Sequence, residues 1–562
     1  MTIAQGPLPN KPKSQPARKD KLFIMGLDGG TWDVLKPLME EGKLPHISGL
    51  AERGIAGILK STVTPETASA WTTFQTGVNS GKHGIFDFFQ YLPGEYNPLV
   101  ISSQMIPCET IWQILSRHGR KVIVVNVPIT YPAYKINGLM VTCLLTPSVK
   151  SHFTYPPELA EEILEIERDY TIVTTQEVFN RLPLEEFVDT LISTEEKRTR
   201  VMLHLLDKYE WDAAMIHFHS SDPLQHAVYW YMDKSSRFFD PEKYLIIQKY
   251  YRSIDDNVGR LLKHLSPDTM KIVLSDHGFS SVYKTININN FLMRDGFMAL
   301  KRKGLFSGKI LALVKLLRRI DDRFIKGRFS FGKRFALKEK MRLDKFVDWS
   351  KTQACMINGW LYGFIYLNCV GRESQGIIRF GEEYEKVRGR IREKLLDLRD
   401  PETGKKAIQM VHNKEDIYQG AFLDRAPDLI VVPEDGYEFS RSFLGKPKEV
   451  FSENRIKRDH AGNHTRDGLF IFEGNAVAQG RAFPVAHIED ILPTILFFFD
   501  APIPRYADGR VLTEIFRESF RENKPLRFEE AEGVKYSPKK EEGYSEEEKK
   551  EIEKRLKELG YF

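Results

Sequence analysis

The sequence predicts an α/β fold built around a mostly parallel central sheet. Short apolar runs rich in β-branched residues recur along the chain, as expected of strands that are buried on both faces. Segments with helical spacing separate these runs, which favours a sheet covered by helices on both sides. Polar residues follow several of the strands, at the sheet edge where ligands gather in such folds. A chain of 562 residues, 42% of them hydrophobic, is long enough to bury this core and to carry insertions.

The first predicted strand, Leu22–Leu27, ends at an aspartate and two glycines. The segment that follows, residues 31–54, has helical spacing, so the first unit is a strand, a carboxylate, a turn and a helix. Asp28 lies where a ligand of the site is expected. The alternative is that Asp28 caps the helix that follows it.

A hydroxyl-rich loop comes next and leads into a helix predicted from about Ala68 to Thr76, which stops at Gly77. Thr67 lies at the N-terminal end of this helix, where unpaired N–H groups and the helix dipole favour an anion. Thr67 is either a simple cap or a nucleophile whose alkoxide is stabilised by a nearby cation. His83, after this helix, is predicted to pack rather than to bind a ligand.

A further strand is predicted at 212–219 and runs into the sequence S-S-D-P-L-Q-H. We expect Asp222 to cap the helix that starts here, because a proline follows it. His226 lies four residues further on, so the two side chains lie one turn apart and can chelate one divalent ion. His217 and His219 alternate on the strand and are given at most a supporting role.

The sequence at 271–279 is K-I-V-L-S-D-H-G-F. Lys271–Leu274 is the buried strand, and Asp276 and His277 follow it almost at once. A carboxylate and an imidazole fixed at a strand end are suited to hold one cation, and Gly278 lets the backbone turn. A strand-to-loop turn with two polar side chains is the alternative.

Residues 301–345 carry far more Lys and Arg than acids, and an apolar stretch with basic interruptions lies inside them at 310–320. This segment is predicted to be an inserted basic helical cap with a solvated face. Two alternatives remain, a peripheral membrane contact through 305–320 and the attraction of a phosphorylated substrate.

In the later part of the chain, predicted strands again alternate with predicted helices. The polar loop predicted at 459–468 carries His460 and His464, and either can complete a metal site; a solvated loop is the alternative. The elements predicted outside the site are strands at 121–127, 363–368, 427–433 and 469–472 and helices at 109–118, 158–167, 184–209 and 382–398. Near the end, Ser545 and Glu548 have capping-box spacing before a helix predicted to dock on the core.

Composition excludes several classes of protein. A net charge of +5 with a pI near 8.6 does not point to nucleic acid as a partner. The four cysteines are irregularly spaced and suit neither a zinc finger nor a disulfide framework, so a cytoplasmic location is expected. The sequence shows no apolar core of a secretion signal and no apolar run of about 18 residues.

Five stretches occur in an order that resembles the alkaline phosphatase superfamily, and specifically its type I phosphodiesterase/nucleotide pyrophosphatase branch. Within that branch, the chain is most similar to the prokaryotic predicted phosphohydrolase/phosphomutase group. The resemblance covers about 21–296 and 349–512. The stretches are G-L-D-G-G at Asp28, T-A-S-A-W-T-T-F-Q-T-G-V-N-S-G-K-H-G-I from Thr67, D-P-L-Q-H at Asp222, S-D-H-G at Asp276 and G-N-H-T-R-D-G around His464.

The resemblance implies an alkaline-phosphatase-like three-layer sandwich with two divalent metal ions, usually zinc, with manganese or magnesium as alternatives. It implies that Thr67 is the nucleophile and that the substrate is a phosphorylated small molecule. His464 is preferred to His460 because it is the histidine of the family's G-x-H match. The implied ligands are Asp28, Thr67, Asp276 and His277 for one ion, and Asp222, His226 and His464 for the other.

The resemblance also divides the chain into parts. The predicted parts are a disordered tail at 1–20, the first part of the catalytic core at 21–296, the basic insertion or cap at 297–348, the second part of the core at 349–515, and a C-terminal tail with the docking helix at 516–562.

One position departs from the family pattern. Eukaryotic members carry an asparagine three residues after the nucleophile, and this chain has Ala70 there. Monoesters, diesters and phosphonates therefore all remain open as substrates. A phosphomutase or phosphotransferase that passes the phosphoryl group to an alcohol is one alternative. A non-catalytic relative that binds a membrane or a partner through the basic insertion is another, whereas the missing C/S-x-P-x-R signature argues against a sulfatase.

Overall fold

The computed structural model describes residues 20–175, 178–179, 181–301, 346–440, 449–453, 461–479, 485–522, 524–530 and 544–559. Residues 302–345 of the predicted basic cap, with its membrane contact at 305–320, lie outside the described residues, as do most of the predicted N-terminal tail and His460.

The strands, in chain order, are β1 (Leu22–Leu27), β2 (Ile55–Lys60), β3 (Phe89–Gln90), β4 (Leu99–Val100), β5 (Val122–Val125), β6 (Gly138–Val141), β7 (Thr154–Tyr155), β8 (Ala213–Phe218), β9 (Met270–Leu274), β10 (Gly278–Ser281), β11 (Lys284–Asn287), β12 (Ala354–Asn358), β13 (Gly363–Leu367), β14 (Ile408–Asn413), β15 (Leu429–Pro433), β16 (Tyr437–Ser440), β17 (Phe451–Glu453), β18 (Gly462–Thr465), β19 (Asp467–Glu473), β20 (Val485–His487), β21 (Ile503–Pro504) and β22 (Phe528–Glu529). The helices are α1 (Trp32–Glu40), α2 (Pro45–Arg53), α3 (Thr67–Thr76), α4 (Ser80–His83), α5 (Ile111–Arg117), α6 (Leu159–Ile166), α7 (Leu184–Lys208), α8 (Ser221–Met232), α9 (Pro241–His264), α10 (Ile288–Arg294), α11 (Glu382–Leu396), α12 (Lys414–Ile417), α13 (Ile491–Phe498), α14 (Glu518–Arg521) and α15 (Glu546–Glu558).

A nine-stranded sheet forms the centre of the molecule, in the order β20-β2-β19-β9-β1-β8-β5-β6-β7. The inner strands β9, β1, β8, β5 and β6 run parallel, and β20 is parallel to β2. Strand β19 is antiparallel to both of its neighbours, and β7 is antiparallel to β6. The predicted α/β class with a mostly parallel sheet is confirmed.

Helices cover both faces of this sheet. In β1, Phe23 and Met25 pack on the side of α1, α2, α7 and α9, whereas Leu22 and Ile24 pack on the side of α3, α5 and α13. This alternation follows from the strand geometry, because successive side chains point to opposite faces. The result is three layers with the sheet in the middle, and the carboxyl ends of β1, β8 and β9 share one edge.

The strands of the predicted second part of the core, 349–515, divide among several sheets. An antiparallel sheet in the order β12-β13-β15-β14 has its own apolar core with α10 and α11, and the main sheet takes only β19 and β20 from this part. The turn between β12 and β13 reaches the main body. There Asn358 Nδ2 donates to Phe89 O at 2.8 Å, and Gly359 N–H donates to Asp87 Oδ2 at 3.3 Å.

Two local predictions are wrong. The helical segment predicted at 31–54 is two helices, because the chain leaves α1 at Glu41 and α2 begins with Pro45 at its first position. The loop predicted at 459–468 contains strand β18, which pairs antiparallel with β10 and so satisfies its backbone groups. The strand predicted after this loop begins at Asp467, two residues earlier than expected.

The C-terminal helix α15 starts with the predicted capping box. Ser545 N–H donates to Glu548 Oε2 at 2.9 Å, and Glu548 N–H donates to Ser545 Oγ at 3.2 Å. Its apolar face is buried in a cluster with Ile101, Leu144 and Leu145, through Ile552, Leu556 and Leu559. Among the helices described here, none is long and apolar enough to cross a membrane.

Candidate active site

The carboxyl-end edge of the central sheet brings three aspartates together. Asp28 follows β1, Asp276 lies just after β9, and Asp222 lies in the first turn of α8, which begins after β8. Because β8, β1 and β9 are adjacent and parallel, their ends meet at one place. All three side chains are fully buried.

One group of candidate ligands surrounds His277. Its Nε2 atom lies 3.5 Å from Asp28 Oδ1, 3.3 Å from Asp276 Oδ2 and 3.2 Å from Thr67 Oγ1. Ligand atoms of Asp28, Asp276 and His277 all lie within 4.8 Å of one another, which is the spacing of groups that share a metal ion.

A second group surrounds Asp222. Its Oδ1 atom lies 3.0 Å from His464 Nε2 and 3.3 Å from His226 Nε2, and the two Nε2 atoms are 2.9 Å apart. His277 Nε2 lies 3.9 Å from the same oxygen, so it stands between the two groups. The structure thus brings together all seven residues that the sequence analysis named for the metal site.

The three imidazole rings are oriented in the same way. Each Nδ1 atom faces a backbone carbonyl: Gly278 O for His277 at 3.1 Å, Gly462 O for His226 at 2.9 Å and Pro65 O for His464 at 2.8 Å. A carbonyl only accepts, so Nδ1 carries a proton and Nε2 is the atom that points inward, toward the carboxylates. Metal-binding histidines are held in this way.

The inward-facing atoms are electron-rich and lack donors. Asp28 Oδ1 and Asp276 Oδ2 accept no hydrogen bond from any residue that the structure describes. Burial and the neighbouring Asp28 carboxylate raise the pKa of Asp276 well above its ordinary value. Burial and the nearby His464 ring lower the pKa of His277 to about 3, so this ring is neutral. Lone pairs and carboxylates that converge in a buried space fit divalent cations, which would neutralise them.

Two further histidines contact the second carboxylate oxygen of Asp28. His217 Nε2 lies 3.0 Å and His219 Nδ1 lies 3.1 Å from Asp28 Oδ2. Burial alone would raise the pKa of Asp28, but the two nearby rings, His217 and His219, outweigh it and hold that pKa well below its usual range. His217 and His219 therefore contact a candidate ligand and are not themselves in the inward-facing set.

Close packing fixes the turn after Asp28. Gly29 has φ +65°, and its N–H donates to Asp276 Oδ1 at 3.1 Å. A Cβ atom at this position would lie 2.4 Å from the ring of Phe279, so only glycine fits. The glycine thus lets two of the aspartates approach each other.

One capping prediction is wrong, and so is one alternative that involved capping. Asp222 is not the cap of α8, because the cap position belongs to Ser220 and the helix has already begun at Ser221. The side chain of Asp222 instead faces His226 and His464. Asp28 does not cap α1 either, since the Thr31 side chain accepts from Asp33 N–H in that role.

Thr67 is the first residue of α3, one position earlier than the predicted helix start. The Glu66 side chain at the cap position makes no capping hydrogen bond, so it leaves the first N–H groups of the helix to other acceptors. Ala70 is fully buried. His83 packs away from the site, with Nε2 3.0 Å from Thr73 Oγ1.

Sequence reasoning missed residues that reach the site from other parts of the chain. Trp360, in the turn between β12 and β13, packs its ring against His226 and His464 at centroid distances of 5.0 and 6.0 Å. Glu195 of α7 accepts the N–H of Ser220 at 2.8 Å and so helps to fix the start of α8. No local pattern marks either residue, because each acts through a contact distant in sequence.

The family model described as "Type I phosphodiesterase / nucleotide pyrophosphatase" matches residues 22–464. A comparison with curated proteins found no match. Among solved structures, phosphonoacetate hydrolase from Sinorhizobium meliloti 1021, in complex with phosphonoacetate, is similar with 14% identity, covering 86% of this chain and 95% of that one, at a TM-score of 0.51.

Two ectonucleotide pyrophosphatase / phosphodiesterase 5 structures are also similar. The human protein is 12% identical and covers 88% of this chain and 100% of its own, at a TM-score of 0.49. The inactive murine protein in complex with AMP is 12% identical, and the match covers 89% of this chain and 100% of that one, at a TM-score of 0.48. The family match spans the strands and helices that carry all seven site residues. The chain therefore belongs to the type I phosphodiesterase / nucleotide pyrophosphatase family, whose members are metal-dependent hydrolases of the alkaline phosphatase superfamily.

Proposed function

We propose that this enzyme is a two-metal phosphohydrolase that cleaves phosphate esters, of the phosphodiester or nucleotide pyrophosphate type, through a covalent phospho-threonine at Thr67. The observation that carries the proposal is the shared orientation of His226, His277 and His464. Each ring donates its Nδ1 proton to a carbonyl and aims Nε2 at a buried carboxylate. Such an arrangement, unfavourable without cations, supports a site for two of them.

The donor set suits zinc, with manganese or magnesium as alternatives, because it combines imidazole nitrogens with carboxylate oxygens. Asp28, Thr67, Asp276 and His277 would hold one ion, and Asp222, His226 and His464 the other. When bound, the pair of cations supplies positive charge at the attacking and leaving oxygens. This need is large, since uncatalysed phosphate-ester hydrolysis requires a barrier reduction of roughly 20 kcal/mol, whereas one general base gives about 10²–10⁴-fold.

The residues of the chain divide the reaction into two displacements. Thr67 Oγ1 loses its proton to water and attacks phosphorus, and the bond to the leaving oxygen breaks with its electron pair. The N–H groups at the start of α3 bind the phosphoryl oxygens, because the Glu66 side chain does not occupy them. Water then attacks phosphorus in phospho-Thr67, and the Thr67 oxygen leaves, which restores the hydroxyl.

Thr67→Ala tests the nucleophile. We expect hydrolysis of p-nitrophenyl phosphate and bis(p-nitrophenyl) phosphate to fall by at least about 10³-fold, since the first displacement has no attacking oxygen. Thr72→Ala is the matched control, because Thr72 is also a buried threonine of α3 and, among the residues that the structure describes, its hydroxyl donates to Ala68 O at 2.7 Å. Parent-level activity in Thr67→Ala would remove the assignment.

A competing alcohol tests whether water is the acceptor. With p-nitrophenyl phosphate and added glycerol, a hydrolase releases inorganic phosphate and p-nitrophenol in nearly equal amounts. A phosphomutase or phosphotransferase releases p-nitrophenol in excess and forms glycerol phosphate. Phosphonoacetate as a third substrate separates ester cleavage from cleavage of a carbon–phosphorus bond.

A further inference from the structure

The turn after β1 is held at three successive backbone carbonyls by side chains of neighbouring segments. These bonds run from Ser221 Oγ to Asp28 O at 2.6 Å, from Gln225 Nε2 to Gly29 O at 2.8 Å and from Ser275 Oγ to Gly30 O at 2.7 Å. All three donor side chains are buried. Ser221 and Gln225 lie on α8, and Ser275 follows β9. The turn is therefore bonded to both of the segments that carry the other two aspartates of the site.

Gln225 makes the most direct link between the two groups of candidate ligands. It lies between Asp222 and His226 on α8. The residue whose carbonyl it binds, Gly29, donates its own N–H to Asp276 Oδ1 at 3.1 Å. Hydrogen bonds on both sides of Gly29 thus join the second ligand group to the first, that is, Asp222, His226 and His464 to Asp28, Thr67, Asp276 and His277.

The link through Gln225 is a single buried hydrogen bond. The side chain is 1% exposed, so bulk water does not compete for the bond. Within the described part of the chain, its Oε1 atom has no hydrogen-bond donor. The bond from Nε2 to Gly29 O is therefore the polar contact that a substitution at this position would remove, and a buried hydrogen bond of this kind is costly to lose.

The position of this bond connects the order of the turn with the order of the helix. Buried carboxylates of like charge repel one another, so the site is costly to hold in this arrangement without cations. A cation held by the first ligand group fixes the turn, because Gly29 is bonded to Asp276. The Gly29 carbonyl is then a fixed acceptor for α8, and the ordering achieved by the first ion does not have to be repeated for the second.

We propose that Gln225 is a positioning residue that couples the two ion sites, so that a divalent ion bound by one ligand group strengthens the binding of the other ion. Gln225 acts through Gly29 and α8 and is not itself one of the ligands. The coupling is reciprocal, because linkage requires each ion to change the affinity for the other by the same factor. This inference rests on the proposed function and assigns to Gln225 the part of each ion's affinity that depends on the other ion.

Zn²⁺ titrations of three proteins give the coupling factor. The metal-free parent is titrated in competition with a fluorescent chelator, as are His464→Gln, which lacks a ligand of the second group, and Asp276→Asn, which lacks one of the first. The factor is the product of the two association constants of the parent divided by the product of the constants of the two single-group proteins. Because two bound cations also repel each other, the change in this factor between backgrounds decides, and not its absolute value.

The same three titrations are repeated in two further backgrounds. Gln225→Met nearly keeps the side-chain length and removes the N–H donor, and we expect the coupling factor to fall about fivefold or more. Gln248→Met is the matched control, because Gln248 is a buried glutamine of α9 whose amide donates to Glu41 Oε2 at 3.3 Å and not to the turn. Its coupling factor is expected to stay within about twofold of the parent's. A merely structural role of Gln225 would weaken one or both ligand groups and leave the factor unchanged.

Three outcomes overturn the inference: an unchanged factor in Gln225→Met, an equal fall in Gln248→Met, and a parent that binds only one Zn²⁺ ion. The titrations need no turnover. A parent that hydrolyses neither p-nitrophenyl ester but loses its coupling in Gln225→Met would therefore contradict the proposed reaction and support the inference. Where Gln225→Met does not fold, as shown by circular dichroism, Gln225→Glu decides by the same factor, since it keeps the shape and replaces the donor with an oxygen.

Discussion

The Nε2 atoms of His226 and His464 lie 2.9 Å apart and face the same oxygen of Asp222, 3.0 Å from His464 Nε2. Each ring turns its Nδ1 atom to a backbone carbonyl, so either a proton or a metal ion has to lie between the two Nε2 atoms. Burial lowers the pKa of His226, but the Asp222 carboxylate outweighs it and raises that pKa above its ordinary value, which shows that this place favours positive charge.

We therefore predict that the purified parent holds about two divalent ions per chain and that His464→Gln holds about one. The measurement is inductively coupled plasma mass spectrometry after dialysis against metal-free buffer. His83→Gln is the matched control, because His83 is also a fully buried histidine but makes no contact with the site ligands. A variant at His464 that keeps the full metal content would contradict the assignment.

We predict that His219→Leu weakens metal binding by about 10–100-fold, because it removes the Nδ1 donor that lies 3.1 Å from Asp28 Oδ2. His219→Asn offers an amide N–H near the same position and is expected to lose less than about tenfold. Competition with a fluorescent chelator measures both affinities. Equal losses in the two variants would show that packing, and not the hydrogen bond, is what matters at this position.

We predict that the free energy of unfolding falls on acidification, because His83 is buried in its neutral form. Burial lowers its pKa to about 3 in the folded state, whereas the unfolded residue titrates near its ordinary pKa of 6.5. Between these two values the unfolded state therefore binds more protons than the folded state. The stability that the neutral His83 ring contributes is fully present above pH 6.5 and is lost as the pH falls below that value.

At pH 5 this loss amounts to about 2 kcal/mol relative to pH 7. Urea unfolding at the two pH values measures it. His83→Gln cannot titrate, so its free energy of unfolding is expected to fall by less than the parent's over the same interval. Equal falls in the two proteins would show that His83 is not the residue responsible.

We predict that Leu556→Ala lowers the free energy of unfolding by about 2–5 kcal/mol, because Leu556 is fully buried where α15 docks on the body. Lys554→Ala, on the exposed side of the same helix, is expected to change stability by about 0.5 kcal/mol or less. Thermal and urea unfolding compare the two. A Leu556→Ala protein as stable as the Lys554→Ala protein would mean that the helix is not part of the cooperative unit.

Much of the site could be predicted from the sequence, because local patterns mark the ends of strands. Asp28 and Asp276 each follow a short buried run, and parallel pairing then places them at one edge. His464 was harder, since β18 has no apolar run and only the family resemblance distinguished it from His460. Asp222 was found as a ligand candidate for a partly wrong reason, since it lies inside α8 and does not cap it.

Other features have no local signal. The antiparallel strand β19 lies between β2 and β9, and nothing in its composition fixes that order. Trp360 and Gln225 act only through residues far away in sequence, such as His226 for the tryptophan and Gly29 for the glutamine. Long-range packing decides these positions, and periodicity reports only on which side of an element a residue lies.

The span of the cluster has a consequence for biosynthesis. His464 contacts Asp222 across 242 positions and the carbonyl of Pro65 across 399. During translation, Asp28 and Thr67 leave the ribosome long before the histidine that completes the cluster has been made. A nascent chain that ends before β18 therefore holds Asp28, Thr67, Asp276 and His277, the proposed ligands of one ion, but lacks the histidine that completes the proposed group around Asp222.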